Sequence, residues 1–169
     1  MKIVFRKLTK KEAQILTDEV KNTPNIVAVP MERWNKFDKV FVSENDGEMS
    51  GVCAIEFFGK DWAEIADFVV LPEFRGRGIG RKLYDLAFKY LKDENKNIYI
   101  VSRNPVVIRM MRKSGFRLLD NFGRLPSTVK NHTVKKVLHL YIFKEFIRKL
   151  FAFPNKTKYI YGILRKEEY

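Results

Sequence analysis

Three glycines at alternate positions, 76, 78 and 80, interrupt the stretch DFVVLPEFRGRGIGRKLYDLAFKYL from Asp67 to Leu91. The run before them is apolar and valine-rich, which suits a buried strand. The run after them sets Ile79, Leu83, Leu86, Ala87, Tyr90 and Leu91 on one face of a helical period, which predicts a helix from about Ile79 to Leu91. A strand that turns through glycines into a helix can aim successive backbone N–H groups into one hollow. The helix start adds unpaired N–H groups and a positive dipole end, and glycine lets a ligand approach closely. Such a hollow suits phosphate. Two nucleotide motifs are excluded: Arg81 stands where a dinucleotide fingerprint has its third glycine, and no Gly-Lys-Ser/Thr ending follows.

The other segments build a sheet around this feature. KIVFRKLT reads as a first strand and KKEAQILTDEVKN as a helix with Thr9 as its cap. Pro24 and Pro30 break the next stretch into a short helix or irregular connection. KVFVSENDGEMSGVCAIEFF is a hairpin around Asp46-Gly47, and AEIADFVVL is a further strand. NIYIVS is a strand, Asn104 caps a helix that opens on Pro105 and stops at Gly115, and FRLLD begins another strand. NFGRLPSTVKNHT reads as a loop, a basic helix follows at about 133–151, and YIYGILRK is a last strand. A meander followed by alternating helices and strands gives a mixed α+β class in one domain, residues 1–169.

Composition narrows the setting. A single cysteine, Cys53, permits no intrachain disulfide and no multi-cysteine metal site. No apolar run reaches the length of a signal core or a membrane span, so a cytoplasmic setting is expected. Residues 1–85 hold 14 Lys and Arg against 14 Asp and Glu, so the formal charge of +13 belongs to the second half. That asymmetry points to an anionic ligand or surface, or to a solubilising lysine-rich face.

Arg75, Gly78 and Gly80 match Arg/Gln-x-x-Gly-x-Gly/Ala, and the segment resembles the acyl-CoA pyrophosphate motif of the GNAT superfamily of N-acetyltransferases. Val70, Pro72, Asn104 and the KSGF that ends a short helix are also similar to that family's pattern. The resemblance is strong from about Ala63 to Phe116, holds only in element order before that, and fades from Asp120 to Lys158. It implies a mostly antiparallel sheet, splayed at the acyl-CoA site, with helices on both faces. It also implies that Arg77, Gly78, Ile79, Gly80 and Arg81 offer backbone amides to the pyrophosphate, with Gly76 shaping the turn and Arg75 positioning the loop. Phe68 and Val70 would pair with the pantetheine arm, the Phe68 N–H would polarise the thioester carbonyl, and Asn104 would bond the arm.

The resemblance implies acetyl transfer from acetyl-CoA, as co-substrate and with no metal, to an amine by direct attack. Most amines are protonated at neutral pH, so a base is needed. Glu64, eleven residues before Arg75, stands where part of the family carries a glutamate base. Strand alternation puts it on the sheet face of Phe68, and burial is expected to raise its pKa. Asp67 and Glu56 are secondary candidates. The family's tyrosine acid is replaced by Met111, and Tyr141, Tyr159 and Tyr161 have no assignable place.

Residues 103–158 carry 14 Lys and Arg against Asp120 and Glu145. Three readings stay open for this basic segment: packing on the sheet or on a second subunit as a homodimer, lining a cleft for an acidic or tRNA acceptor, or lying on an anionic membrane. The acceptor itself, a small molecule, a peptide or a charged tRNA, is not written in the sequence. A non-catalytic CoA-binding or nucleic-acid-binding module is the alternative to an enzyme. His132 and His139 are too few and too far apart for a metal site and read as surface or packing residues. Cys53 reads as core, and Trp34 and Trp62 as core or rim, with Trp34 able to border the acceptor.

Overall fold

The computed structural model describes residues 1–23, 29–138, 143–144, 147–149, 151 and 158–169. Its strands are β1 (Lys2–Phe5), β2 (Lys39–Asn45), β3 (Glu48–Phe58), β4 (Trp62–Val70), β5 (Asn97–Ser102), β6 (Arg117–Leu119) and β7 (Ile160–Leu164). Its helices are α1 (Lys10–Asn22), α2 (Met31–Trp34), α3 (Ile79–Asp93), α4 (Pro105–Lys113) and α5 (Ser127–Val137). The strands form one sheet in the order β1-β2-β3-β4-β5-β7-β6. Every neighbouring pair is antiparallel except β4 and β5, which run parallel. The mixed, mostly antiparallel sheet expected from sequence is the one observed.

Local chemistry accounts for most of the elements. Asp46 and Gly47 have φ of 51° and 85°, the left-handed pair that a two-residue hairpin between twisted strands requires. Thr9 and Glu12 form a reciprocal capping box at the start of α1, and Arg6 binds Glu12 at 2.6 Å and Glu44 at 2.8 Å, tying that start to β2. Asn104 Oδ1 accepts from the Val106 N–H at 2.9 Å and caps α4, with Pro105 as its first residue.

Helices cover both faces of the sheet. On one face α3 and α4 bring Leu83, Ala87, Leu91 and Met111 against Phe41, Cys53, Ile55 and Ile98. On the other, α1 and α2 pack Leu16, Val20 and Trp34 against Val42, Val52 and Ala54. Phe58 follows Val52 and Ala54 on this second face by alternation, and there Val129 of α5 joins Phe58, Trp62, Tyr99 and Ile163. Trp34 is fully buried and its Nε1 donates to Thr17 Oγ1 at 3.1 Å, so it is core and not rim. Cys53 is core as well, and burial pushes its thiol up to about 12.

One element departs from expectation. The loop read at 121–133 contains a short turn at Phe122–Arg124 and then α5, which begins at Ser127 and not near 133. Leu125 and Val129, spaced one helical turn apart, are both buried and hold this start down. The expected continuation toward 151 lies mostly outside the described residues, as do His139, Tyr141 and the Pro24 turn.

Gly51 shows how closely β3 and β4 are fitted. A Cβ there would lie 2.7 Å from the Val69 carbonyl oxygen and 3.2 Å from Val70 Cα. Both are backbone atoms and cannot swing aside. Gly51→Ala is therefore expected to lower stability by roughly 1–3 kcal/mol, the usual cost of overpacking, read as a lower urea midpoint. An unchanged midpoint contradicts this fit.

Candidate functional site

The site is made by an irregularity in β4. Ala54 pairs with Asp67 but Ile55 pairs with Ile65, so Ala66 is an extra residue on β4. Such a bulge breaks the two-residue alternation of side chains. Phe68 and Val70 pack with the α3 face, whereas Ala66 and Val69 pack with the α1–α2 face. Glu64 and Asp67 fall on this second face, where Glu64 meets α5. The expectation that Glu64 shares a face with Phe68 is therefore corrected: the inserted residue reverses the parity between them.

Beyond the bulge β4 leaves β5. Their ladder runs only from Trp62↔Asn97 to Glu64↔Tyr99, although β4 continues to Val70 and β5 to Ser102. The Leu71 N–H donates to the Ser50 carbonyl at 3.0 Å. Antiparallel bonding alternates, so Val69 and Asp67 also bond toward β3, and the amides and carbonyls of Phe68 and Val70 point into the gap. The Val70 carbonyl accepts from Arg75 Nε at 2.9 Å, on the side away from β3.

The glycine turn closes one end of this gap. Gly76 and Gly78 both have φ of 76°, and Gly78 is the N-cap of α3. The first helical bond runs from the Lys82 N–H to the Gly78 carbonyl, which leaves the amides of Ile79, Gly80 and Arg81 without a helical acceptor. A side chain at Gly80 would meet Phe68 Cζ at 3.2 Å, so the turn sits directly against β4. Arg75 also pairs with Glu19 at 2.6 Å, linking the turn to α1.

A cleft of about 910 Å³ joins these parts. Of the residues singled out from sequence, Glu64, Phe68, Val70, Arg75, Gly78, Ile79, Gly80, Arg81 and Asn104 all line it, and so does Asp67. Arg77 does not: its guanidinium lies over the Phe74 ring, 5.6 Å from the centroid. Arg81 pairs with Asp85 at 2.8 Å. Met111 is fully buried, where its sulfur sits beside Gly162. Tyr159 lines the cleft beneath the Arg103 guanidinium at 5.2 Å, while Tyr161 packs on Phe122.

Glu64 is 1% exposed and is held by α5. Lys136 Nζ donates to both of its oxygens at 2.9 Å, and His132 Nε2 lies 2.6 Å from Oε2. Burial pushes this carboxyl up, but the Lys136 ammonium and the His132 hydrogen bond together outweigh burial and hold it below the usual carboxylate range. The expected upward shift is thus reversed. Asp67 behaves oppositely. Burial, opposed by Lys136 and reinforced by Glu64, pushes it up to about 6.

His132 was not legible as a site residue. It stacks on Phe58 with centroids 3.9 Å apart, as a packing residue does, yet it also binds Glu64. The signal lay in the one-turn spacing of His132 and Lys136, which has meaning only once α5 is known to start at Ser127. Glu56, Glu64 and His132 bring potential ligand atoms within 4.8 Å of one another. Lys136 Nζ, 2.9 Å from Glu64 and 3.9 Å from Glu56, already supplies the positive charge there. Two more basic residues serve the fold: Lys149 donates to the Val20 and Thr23 carbonyls, and Arg148 to the Lys21 carbonyl. They satisfy the C-terminal carbonyls of α1. Among the described residues no helix is long and apolar enough to cross a membrane.

Comparison with known proteins gives a consistent result. Residues 9–116 match the model of the acetyltransferase (GNAT) family. An uncharacterized N-acetyltransferase of Chlorobaculum tepidum is 38% identical over 72 residues, which is 42% of this chain and 46% of that relative, so the match spans about half of the relative's length. N-acetylglutamate synthase from Neisseria gonorrhoeae, solved with coenzyme A and N-acetyl-glutamate, superposes with a TM-score of 0.67 at 16% identity, covering 98% of this chain and 36% of that one. The ribosomal-protein-S18-alanine N-acetyltransferase of Escherichia coli gives 0.61 at 13% identity, covering 96% of this chain and 93% of that one. At these identities the two structures speak for the fold.

The Glu64 cluster has a testable consequence. Lys136→Met removes the ammonium and leaves Glu64 buried with His132 alone. Breaking a buried pair costs about 3–5 kcal/mol, and a loss of that order is expected at pH 7 by urea unfolding. A carboxylate with a depressed folded pKa contributes stability above its unfolded pKa and loses it as pH falls through the folded value. The gap between wild type and variant should therefore narrow below about pH 4, the ordinary glutamate range. A gap that stays constant from pH 7 to acid contradicts the assignment.

Proposed function

The chain belongs to the acetyltransferase (GNAT) family, and from that premise we propose that it moves an acetyl group from acetyl-CoA to an amine by direct attack. The observation that carries this reading is the meeting, in one cleft, of a glycine turn at a helix start with a strand edge whose Phe68 and Val70 backbone groups face a gap.

In this reading the pyrophosphate rests on the amides of Arg77, Gly78, Ile79, Gly80 and Arg81. Those of Ile79, Gly80 and Arg81 lack helical acceptors, and the α3 dipole favours negative charge there. Arg75 braces the turn against Val70 and Glu19. The pantetheine arm adds as a pseudo-strand to the free edge of β4. The Phe68 N–H then lies beside the thioester carbonyl and stabilises the oxyanion as the amine attacks. Asn104 spends Oδ1 on its helix cap, which leaves its amide N–H groups for the arm.

Glu64 takes a different part from the one first expected of it. A carboxylate held ionised by Lys136 and His132 is a poor proton acceptor. Its role here is to fix α5 over the acceptor end of the cleft. Near it the cleft is lined by Arg33 of α2 and by Thr133 and Lys136 of α5.

The acceptor is an amine of a small molecule, a peptide amino terminus or a charged tRNA. Lys136, Arg148 and Lys149 are committed inside the fold, so the electrostatic case for a tRNA rests on fewer cations than the sequence count. A homodimer would use the exposed apolar residues Leu138, Phe143 and Phe151. The second reading, a CoA-binding module without turnover, is favoured by Met111, which offers the leaving thiolate no proton.

Two measurements test the proposal. Calorimetry should detect acetyl-CoA binding, and Gly78→Val, which forces a β-branched residue to a φ of 76°, should raise Kd at least ~10-fold, or about 1.4 kcal/mol. Free thiol should then appear faster with at least one of spermidine, an alanine-initiated peptide or an aminoglycoside. Binding without thiol release from any amine favours the non-catalytic module. No heat of binding, or a Kd indifferent to Gly78→Val, rejects the donor site.

A further inference from the structure

We propose that Asp67 receives the acceptor's ammonium group and takes its proton; this rests on reading the cleft as an acetyl-transfer site. The case starts from what is already taken. Glu19 is paired with Arg75 at 2.6 Å, Glu56 with Arg33 at 2.7 Å, and Glu64 with Lys136 and His132. Asp67 also lines the cleft, at 8% exposure, and the described residues give its carboxylate no hydrogen bond and no ion pair. It is the acid with capacity to spare for a cationic visitor.

Its position follows from the bulge at Ala66. Asp67 precedes Phe68, and adjacent Cα atoms lie about 3.8 Å apart. The Phe68 amide faces the gap between β4 and β5, while the Asp67 side chain stands on the face covered by α1, α2 and α5. An amine bound at Asp67 stands one residue from the N–H that would polarise the thioester. Without the extra residue, strict alternation from Glu64 would turn position 67 to the opposite face.

The charged groups facing Asp67 are Lys136 of α5, Glu64 of its own strand, Arg33 of α2 and Glu56 of β3, and the Cys53 thiol lies on the other face of the sheet. Two cations and two carboxylates oppose one another, and burial remains as the largest influence. The carboxyl is pushed up to about 6, so it is mostly ionised at neutral pH yet basic enough to hold a proton in passing.

The step balances with the species already named. Asp67 accepts one proton from the ammonium, and the freed nitrogen lone pair forms the N–C bond to the thioester carbonyl. The oxyanion collapses, the C–S bond breaks and thiolate leaves. The surplus proton on the new amide nitrogen neutralises the thiolate through solvent, and Asp67 returns its own proton to water. No oxidant or metal enters.

Asp67→Asn keeps the shape and removes the base. With acetyl-CoA and whichever of spermidine, an alanine-initiated peptide or an aminoglycoside releases thiol, kcat should fall about 10²–10⁴-fold. The Kd for acetyl-CoA should stay within a factor of about 2, a margin far below the tenfold that 1.4 kcal/mol represents. The acid limb of the wild-type pH–rate profile should lie near 6 and vanish in Asp67→Asn. Carboxyl-13C NMR of the wild-type chain should show one aspartate signal, missing in Asp67→Asn, that titrates in the same range. A variant that still binds acetyl-CoA and keeps kcat within about threefold, less than 1 kcal/mol of barrier, overturns the proposal, as does an Asp67 signal at the ordinary aspartate value. If Asp67→Asn no longer binds acetyl-CoA, Asp67→Glu and the wild-type titration decide. If wild type itself binds no acetyl-CoA, the donor-site reading fails, a separate result. If it binds but no amine releases thiol, the non-catalytic reading prevails and the base assignment is overturned with the transfer reaction.

Discussion

Strand β4 cannot pair with both of its neighbours along its whole length, and the rest of the site depends on that constraint. It stays bonded to β3 throughout, takes an extra residue at Ala66, and leaves β5 after Glu64. An unpaired strand edge carries donors and acceptors that want partners. The Val70 carbonyl finds one in Arg75. The remaining groups of Phe68 and Val70 face the cleft, which makes the edge a template for an extended ligand. The bulge also sorts the side chains. Those that pack on α3 are Phe68 and Val70, and those on the opposite face, toward α5, are Glu64 and Asp67.

The side of β4 that faces α5 is a buried set of charges, and such sets are costly to assemble. Here the set is closed by α5, whose Lys136 and His132 lie one helical turn apart and grip the same carboxylate. Glu64 is thereby spent on architecture, and Asp67 is left to respond to a ligand. Two carboxylates three residues apart acquire opposite pKa shifts because burial raises both and only Glu64 has a hydrogen-bonded cation and histidine to outweigh it. Basic residues that look like a nucleic-acid surface in sequence include several with internal duties, among them the cations that satisfy the end of α1.

What could be read beforehand was local. Asp46-Gly47, the Thr9 cap, Asn104-Pro105 and the glycine turn into α3 each follow from local backbone geometry, and each appears as expected. What could not be read was relational. Whether Glu64 and Phe68 share a face depends on one unpaired residue, and a bulge has no marker in AEIADFVV. The start of α5 was hidden because Ser127 to Thr133 is polar and follows a proline, and its buried face shows only as Leu125 and Val129. With that start unknown, His132 had no visible link to a carboxylate 68 residues away. The same tertiary dependence assigned Met111 to the core and Tyr159 to the cleft.

Amide hydrogen exchange, resolved at single residues in β4, is the most direct measurement of the central claim. Val69 already bonds to β3 and should exchange slowly with or without ligand. The amides of Phe68 and Val70 should exchange measurably faster in the free protein and slow by at least tenfold, about 1.4 kcal/mol of local stability, when acetyl-CoA saturates it. If Phe68 and Val70 exchange at the same rate in both states while acetyl-CoA is bound, the free edge of β4 is not where the coenzyme lies.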